Sequence, residues 1–166
     1  GTDLSGYHCG GKENFGCLFL LLVAVTSQAE TLDGRVYSIV DGDTLMLLDG
    51  ANRQRKVRLI GIDAPALTQA FGQNARTALS ALAANQAVTA DCRSDTPNLC
   101  RVRIGGKDVA LELVRTGMAW WNPQHTSLQS TQERADFQQA EFNAKIRRFG
   151  LWNCKNPVPP WQWRLP

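Results

Sequence analysis

Recognisable metal-ligand spacings are missing from this chain. Its five cysteines and two histidines nowhere form a CxxC or HxxxH pattern, which leaves zinc without its usual ligand arrangement. A site assembled from Cys92, Cys100, Cys154 and His125 is the remaining way to build one. Repeats and low-complexity tracts are also missing, as is a strong charge of either sign. The 18 Lys and Arg against 15 Asp and Glu give a net charge of +3, which permits an anionic partner such as nucleic acid without demanding one. No apolar run is long. The stretch Cys17 to Val25 has nine apolar residues, too few to cross a bilayer at about 1.5 Å per residue. What is present suits a packed core. The hydrophobic fraction is 43% and the charged fraction 20% over 166 residues, in the range of one globular domain rather than two.

The apolar run is followed by Thr26-Ser27-Gln28-Ala29, and small residues at positions 27 and 29 fit the pattern that precedes signal-peptidase cleavage. Residues 1–29 are therefore expected to be a signal peptide or a non-native leader, cut after Ala29, with residues 30–166 as the working domain. A buried core helix over 17–25 is the alternative, disfavoured because it has no polar face. Without residues 1–29 the chain loses one basic and two acidic residues and stands at +4. Export places Cys92 and Cys100 in an oxidising compartment. They flank a short Pro-containing turn between two strand-like runs, so a disulfide between them is expected, with Cys154 left over.

Strands are expected first and helices later. Gly34 to Val40 and Thr44 to Leu48 are rich in β-formers and separated by the turn signal Asp41-Gly42, and Asp49-Gly50 marks the next turn before Arg55 to Gly61. Pro65 should end that extended stretch. From Phe71 to Ala84 the apolar residues Phe71, Ala75, Ala78, Leu79 and Leu82 recur at helical spacing. Ala87 to Cys92 and Leu99 to Ile104 read as another strand pair. A helix carrying Val109, Leu113 and Val114 should stop at Gly117, and a last helix should run from Thr131 to Arg148 with Phe137, Ala140, Ala144 and Phe149 on one side. Five strands and three helices in this order suit an α+β, mainly β fold built on a five-stranded barrel.

Several landmarks in sequence carry a family resemblance: Ile39-Val40-Asp41-Gly42-Asp43-Thr44, Val57-Arg58-Leu59 with Gly61-Ile62-Asp63-Ala64-Pro65, Phe71-Gly72, Val114-Arg115-Thr116-Gly117-Met118-Ala119-Trp120, Gly150-Leu151-Trp152 and Pro159-Pro160-Trp161. The chain resembles staphylococcal-nuclease-like (thermonuclease) domains of the exported bacterial type, over nearly all of residues 34–164. The resemblance implies an OB-fold barrel with three helices and a phosphodiester-hydrolysing site. Such a site needs an activated water, neutralisation of charge building on the phosphate oxygens, and in-line geometry. In the family, carboxylates hold calcium, a hard cation that prefers oxygen ligands. A glutamate handles the water and two arginines grip the phosphate.

By position, Asp43 and Asp63 match the calcium carboxylates, with Asp41 nearby, and Arg58 matches the first phosphate-gripping arginine, whose planar guanidinium suits bidentate contact. The plainer alternatives are that Asp41 and Asp43 serve a tight turn, that Asp63 caps the loop before Pro65, and that Arg58 is one surface arginine beside Arg53, Arg55 and Lys56. Two departures bear on activity. Ala66 stands where the family has its glutamate. The Tyr-Gly-Arg turn that bears the second arginine is replaced by Arg93-Ser94-Asp95-Thr96-Pro97-Asn98-Leu99, so Arg93 or Arg101 would substitute only if aimed inward. Trp120, Trp161 and Trp163 are expected to serve packing, with the last two pinning the Pro-rich tail, and His125 is expected to be solvated. The resulting expectation is an exported, periplasmic or secreted, monomeric domain without membrane contact after cleavage. It binds single-stranded DNA or RNA, or another anionic ligand, and has lost most catalysis. The alternative is an active calcium-dependent nuclease.

Overall fold

The computed structural model describes residues 29–166. In chain order it contains β1 (Glu30–Ile39), β2 (Thr44–Asp49), β3 (Gln54–Leu59), β4 (Ile62–Asp63), α1 (Gly72–Ala83), β5 (Ala87–Cys92), β6 (Leu99–Ile104), β7 (Lys107–Asp108), α2 (Val109–Arg115), β8 (Trp120–Trp121), a 3-10 turn (Pro123–Leu128), α3 (Thr131–Ile146), a second 3-10 turn (Gly150–Asn153) and α4 (Pro160–Trp163). The leader expected over 1–29 lies outside the described residues except for Ala29.

The main sheet has the order β3-β2-β1-β5-β6-β7, and a two-residue parallel pairing, Arg58 with Leu99 and Leu59 with Cys100, joins β3 to β6. The other neighbours in this sheet run antiparallel. This is the mixed sheet-and-helix, OB-like architecture expected from the sequence. The inward residues Val36, Leu45, Leu47, Val57, Leu59 and Val102 are essentially inaccessible and meet Leu79 of α1 and Leu113 and Val114 of α2 in one core. Removing such side chains from water is what offsets the entropy of ordering the chain.

Three differences from the sequence reading have physical causes. Strand β1 starts at Glu30 rather than near Gly34, because residues 30–33 pair with Thr89 to Cys92 of β5 while burying only Leu32, so backbone pairing carries a segment with little apolar signal. The third strand stops at Leu59, and Ile62-Asp63 leaves the main sheet to pair with Trp120-Trp121. The helix expected to reach Arg148 ends at Ile146; Phe149, expected on its apolar side, is 42% exposed, and a short α4 follows it.

Helix α3 begins with a capping box. The Ser130 hydroxyl accepts from the Glu133 N–H, and the Glu133 carboxylate accepts from the Ser130 N–H. Helix α1 instead begins at a close backbone approach: a Cβ on Gly72 would lie 1.9 Å from the Ala66 carbonyl oxygen. That contact holds the start of α1 against the chain after Pro65.

Candidate active site

Three segments converge where β2 begins and β3 ends. Thr44 is registered opposite Arg58, and the Leu59 N–H donates to the Asp43 carbonyl at 2.8 Å. In the turn before β2 the Asp43 N–H donates to the Asp41 carboxylate at 3.0 Å, the local hydrogen bond that makes Asp a turn residue. The plainer reading of Asp41 is thus correct as far as it goes. Gly42 between them is set by packing, since a Cβ there would lie 2.6 Å from the Ala75 Cβ and 2.7 Å from the Ala64 Cβ.

Asp43 does more than serve the turn. Its side chain is buried, with one oxygen accepting from the Ala64 N–H and the other from the Thr44 hydroxyl, both at 2.9 Å. It therefore ties the β1–β2 turn to the chain just after β4. Burial pushes its pKa up to about 6, against the Ala64 N–H and Arg58, which favour the charged form, and with the help of Asp41, which disfavours it.

Asp63 is also buried. The Arg58 guanidinium lies between the two carboxylates, 3.9 Å from Asp43 and 3.5 Å from Asp63, with its side chain 42% exposed. At those distances it is held in place without being consumed by tight hydrogen bonds. The structure thus brings Asp43, Asp63 and Arg58 together at an open cleft of about 470 Å³, lined by Asp41, Asp43, Thr44, Lys56, Arg58, Asn98 and Arg164.

Neither substitute considered for the second arginine faces this cleft. Arg93 makes two 2.8 Å bonds to Asp95 within its own turn. Arg101 pairs with Glu133 at 2.6 Å and lies 3.8 Å from Asp108. Cys92 and Cys100 form the expected disulfide across the base of that hairpin, which removes both as zinc ligands. Among the described residues no group of three or more His, Cys, Asp or Glu side chains converges as a metal site. Ala66 has no side-chain donor or acceptor. Its N–H donates to the Gln69 carboxamide at 3.1 Å, and Gln69 in turn donates to the Val158 carbonyl at 2.6 Å.

Two residues come to the site without a signal in the sequence. Arg164, 101 positions after Asp63, places one guanidinium nitrogen 2.9 Å from each Asp63 oxygen and the other 3.3 Å from the Ala64 carbonyl. The tail that carries it is pinned by Trp161 as expected, whereas Trp163, expected to pin it as well, is exposed. Trp120 lies edge-on to Trp161 at 5.6 Å and to Trp152 at 4.4 Å, and Pro160 is buried. Contrary to expectation, His125 is not freely solvated. Its Nδ1 accepts from the Gly61 N–H at 3.0 Å, and partial burial, reinforced by the charge of Arg58 and opposed by Asp63, holds its pKa below the ordinary 6.5. It buttresses the turn between Arg58 and Asp63 in the neutral form.

Asp43 and Asp63 offer only oxygen, which suits a hard cation. Two carboxylates make a partial set for an ion that takes six to eight oxygens, so the fit is to a cation that keeps several waters. Such an ion would share Asp63 with Arg164.

Residues 56–154 match the family model described as "Staphylococcal nuclease homologue". Among curated relatives, an "Uncharacterized endonuclease" of Haemophilus influenzae is 36% identical over 150 residues, covering 89% of this chain and 80% of its own length. "Protein ParB" of Escherichia coli is 35% identical over 161 residues, covering 89% and 86%. A "Micrococcal nuclease" of Shigella flexneri is 34% identical over 160 residues, covering 87% of each. With its OB-like fold and two buried aspartates around an arginine, the chain belongs to the staphylococcal nuclease homologue family.

Proposed function

We propose that residues 30–166 bind single-stranded nucleic acid, DNA or RNA, through the cleft around Arg58, and hydrolyse it weakly at most. The observation that carries this reading is the pairing of a half-exposed Arg58 guanidinium, positioned by two buried carboxylates, with a methyl group at position 66. The guanidinium supplies charge-assisted donors to a phosphate. The methyl group can neither accept a proton nor orient a water, and such assistance is worth about 10²- to 10⁴-fold.

Where calcium binds, Asp43 and Asp63 would hold it, and it would supply charge neutralisation at the phosphate oxygens. The chain's own residues do the rest. Arg58 grips the phosphate, Thr44 and Ala64 orient Asp43, and the His125–Gly61 contact steadies the turn that joins Arg58 to Asp63. Export to the periplasm or medium is part of the proposal, and the Cys92–Cys100 disulfide supports it. Among the described residues no helix is long and apolar enough to cross a membrane. A monomer is proposed as the working form.

The second reading, an active calcium-dependent exported nuclease, is favoured by the nuclease names of the relatives and by Arg164, a second guanidinium at the cleft. Digestion of single-stranded DNA with calcium and with chelator separates the two. The proposed function expects salt-sensitive binding that Arg58→Ala weakens roughly ten- to a hundredfold, with little cleavage. Rapid calcium-dependent cleavage lost in Arg58→Ala would establish the second reading instead.

A further inference from the structure

We infer that Arg164, delivered by the C-terminal tail, is a second phosphate-contacting residue of the cleft, acting beside Arg58 on the same nucleic-acid strand. The inference rests on the proposed nucleic-acid function and extends it to a part of the chain beyond the segment matched by the family model, which ends at residue 154.

The two guanidiniums meet at one atom. Arg58 reaches Asp63 Oδ1 at 3.5 Å and Arg164 reaches the same oxygen at 2.9 Å, so both stand at the same end of the cleft and both line it. Asp63 faces two permanent positive charges there, and Lys56 adds a third to a lining that also carries the Asp41 and Asp43 carboxylates. A phosphodiester brings the negative charge and the pair of oxygens that such a doublet of guanidiniums accepts.

Arg164 is held on one side only. Its two terminal nitrogens take Asp63 and the Ala64 carbonyl, and among the described residues no hydrogen bond uses its Nε–H. The side chain remains 44% exposed.

The segment bearing it is anchored, which makes the placement a property of the fold. Val158 accepts from Gln69, Pro160 is buried, and Trp161 packs on Trp120, whose backbone pairs with Asp63 itself. The same β4–β8 pair that positions Asp63 therefore also positions the tail opposite it. The tail is also held by Gln69, Pro160 and Trp161, so its attachment does not depend on Arg164 alone.

The test measures equilibrium binding of a fluorescent oligothymidylate to the full chain in chelator, across a salt titration from roughly 50 to 200 mM. Wild type, Arg58→Ala, Arg164→Ala and Arg164→Lys are compared. Arg164→Ala is expected to weaken binding roughly tenfold or more and to lower the slope of log K against log salt by about 0.7, the value for one phosphate contact on a single strand. Arg164→Lys should keep the slope and lose part of the affinity, because an ammonium replaces the charge but not the fork. It also carries the test should the alanine variant prove unfolded by circular dichroism. Binding weakened by Arg58→Ala but unchanged by both Arg164 variants would overturn this inference alone and leave the arginine as a tail fastener. Tighter binding by Arg164→Ala would also overturn it, showing that the tail covers the cleft. A wild type with no salt-sensitive binding would sink the nucleic-acid reading and this inference together.

Discussion

Two turns of this barrel-like sheet make opposite use of their polar residues. In the Asp41–Asp43 turn Asp41 closes the turn locally, while the Asp43 carboxylate reaches another segment, accepting from the Ala64 N–H and standing near Arg58. In the turn between β5 and β6 the polar groups satisfy one another. Arg93 is spent on Asp95, and the disulfide closes the base. The first turn organises a cleft, whereas the second contributes only Asn98 to its lining. A hairpin whose arginine is taken by its own Asp95 offers the cleft only Asn98, whose backbone carbonyl accepts from the Arg58 N–H at 2.7 Å, and the second guanidinium at the cleft is that of Arg164.

The strongest challenge to that contrast is to place an acid after Pro65. With no arginine at the cleft beyond Arg58, Ala66→Glu alone would give little cleavage. With Arg164 beside Asp63, it is expected to raise calcium-dependent cleavage of single-stranded DNA by about 10²-fold or more, the lower end of what proton-handling groups contribute. An increase below about tenfold would mean that a carboxylate at position 66 is not what limits turnover.

Next comes the buried acid of the first turn. Asp43 has its pKa raised from 3.8 to about 6, so its linked contribution to stability is fully present below pH 3.8 and is lost as pH rises through 6. At pH 7 its buried charge opposes folding by up to about 3 kcal/mol. Asp43→Asn, in chelator, is therefore expected to be more stable than wild type at pH 7, with the advantage shrinking as pH falls toward 4. Urea denaturation at both pH values checks this, and an equal difference at the two would refute the assignment.

The smallest expected change in free energy belongs to the self-contained turn. Replacing both Cys92 and Cys100 by Ala opens a link with a sequence separation of 8, and a loop of that size is worth about 2.5 kcal/mol. Stability should fall by roughly that amount while oligothymidylate affinity stays within about twofold at a temperature where the variant remains folded. A larger loss of affinity would show that the disulfide side shapes the cleft, through the Arg58 N–H to Asn98 carbonyl bond of 2.7 Å.

Much of the frame was legible from local signals. Turn residues at Asp41-Gly42 and Asp49-Gly50, helical spacing from Phe71 to Leu82 and the strand pair ending in Cys92 and beginning before Cys100 all report forces that act between near neighbours. Two of the segments missed are held by distant partners. Residues 30–33 are strand because β5 lies beside them, and β4 exists because Trp120 and Trp121 pair with it. His125 looked solvated because nothing within its own loop reveals the Gly61 N–H, 64 residues back.

Residue identity alone determined which chemistry is present: two aspartates and an arginine around one motif, a methyl group at position 66, and no Tyr-Gly-Arg in the turn that holds Arg93. Those facts follow from side-chain composition and hold in any conformation. Whether the groups face one another was decided by packing. Gly42 against Ala64 and Ala75 brings the first turn onto β4, and the Trp120–Trp161 contact carries Arg164 across 101 residues to Asp63. Contacts at such separation depend on the whole core having formed, so no local stretch of sequence encodes them.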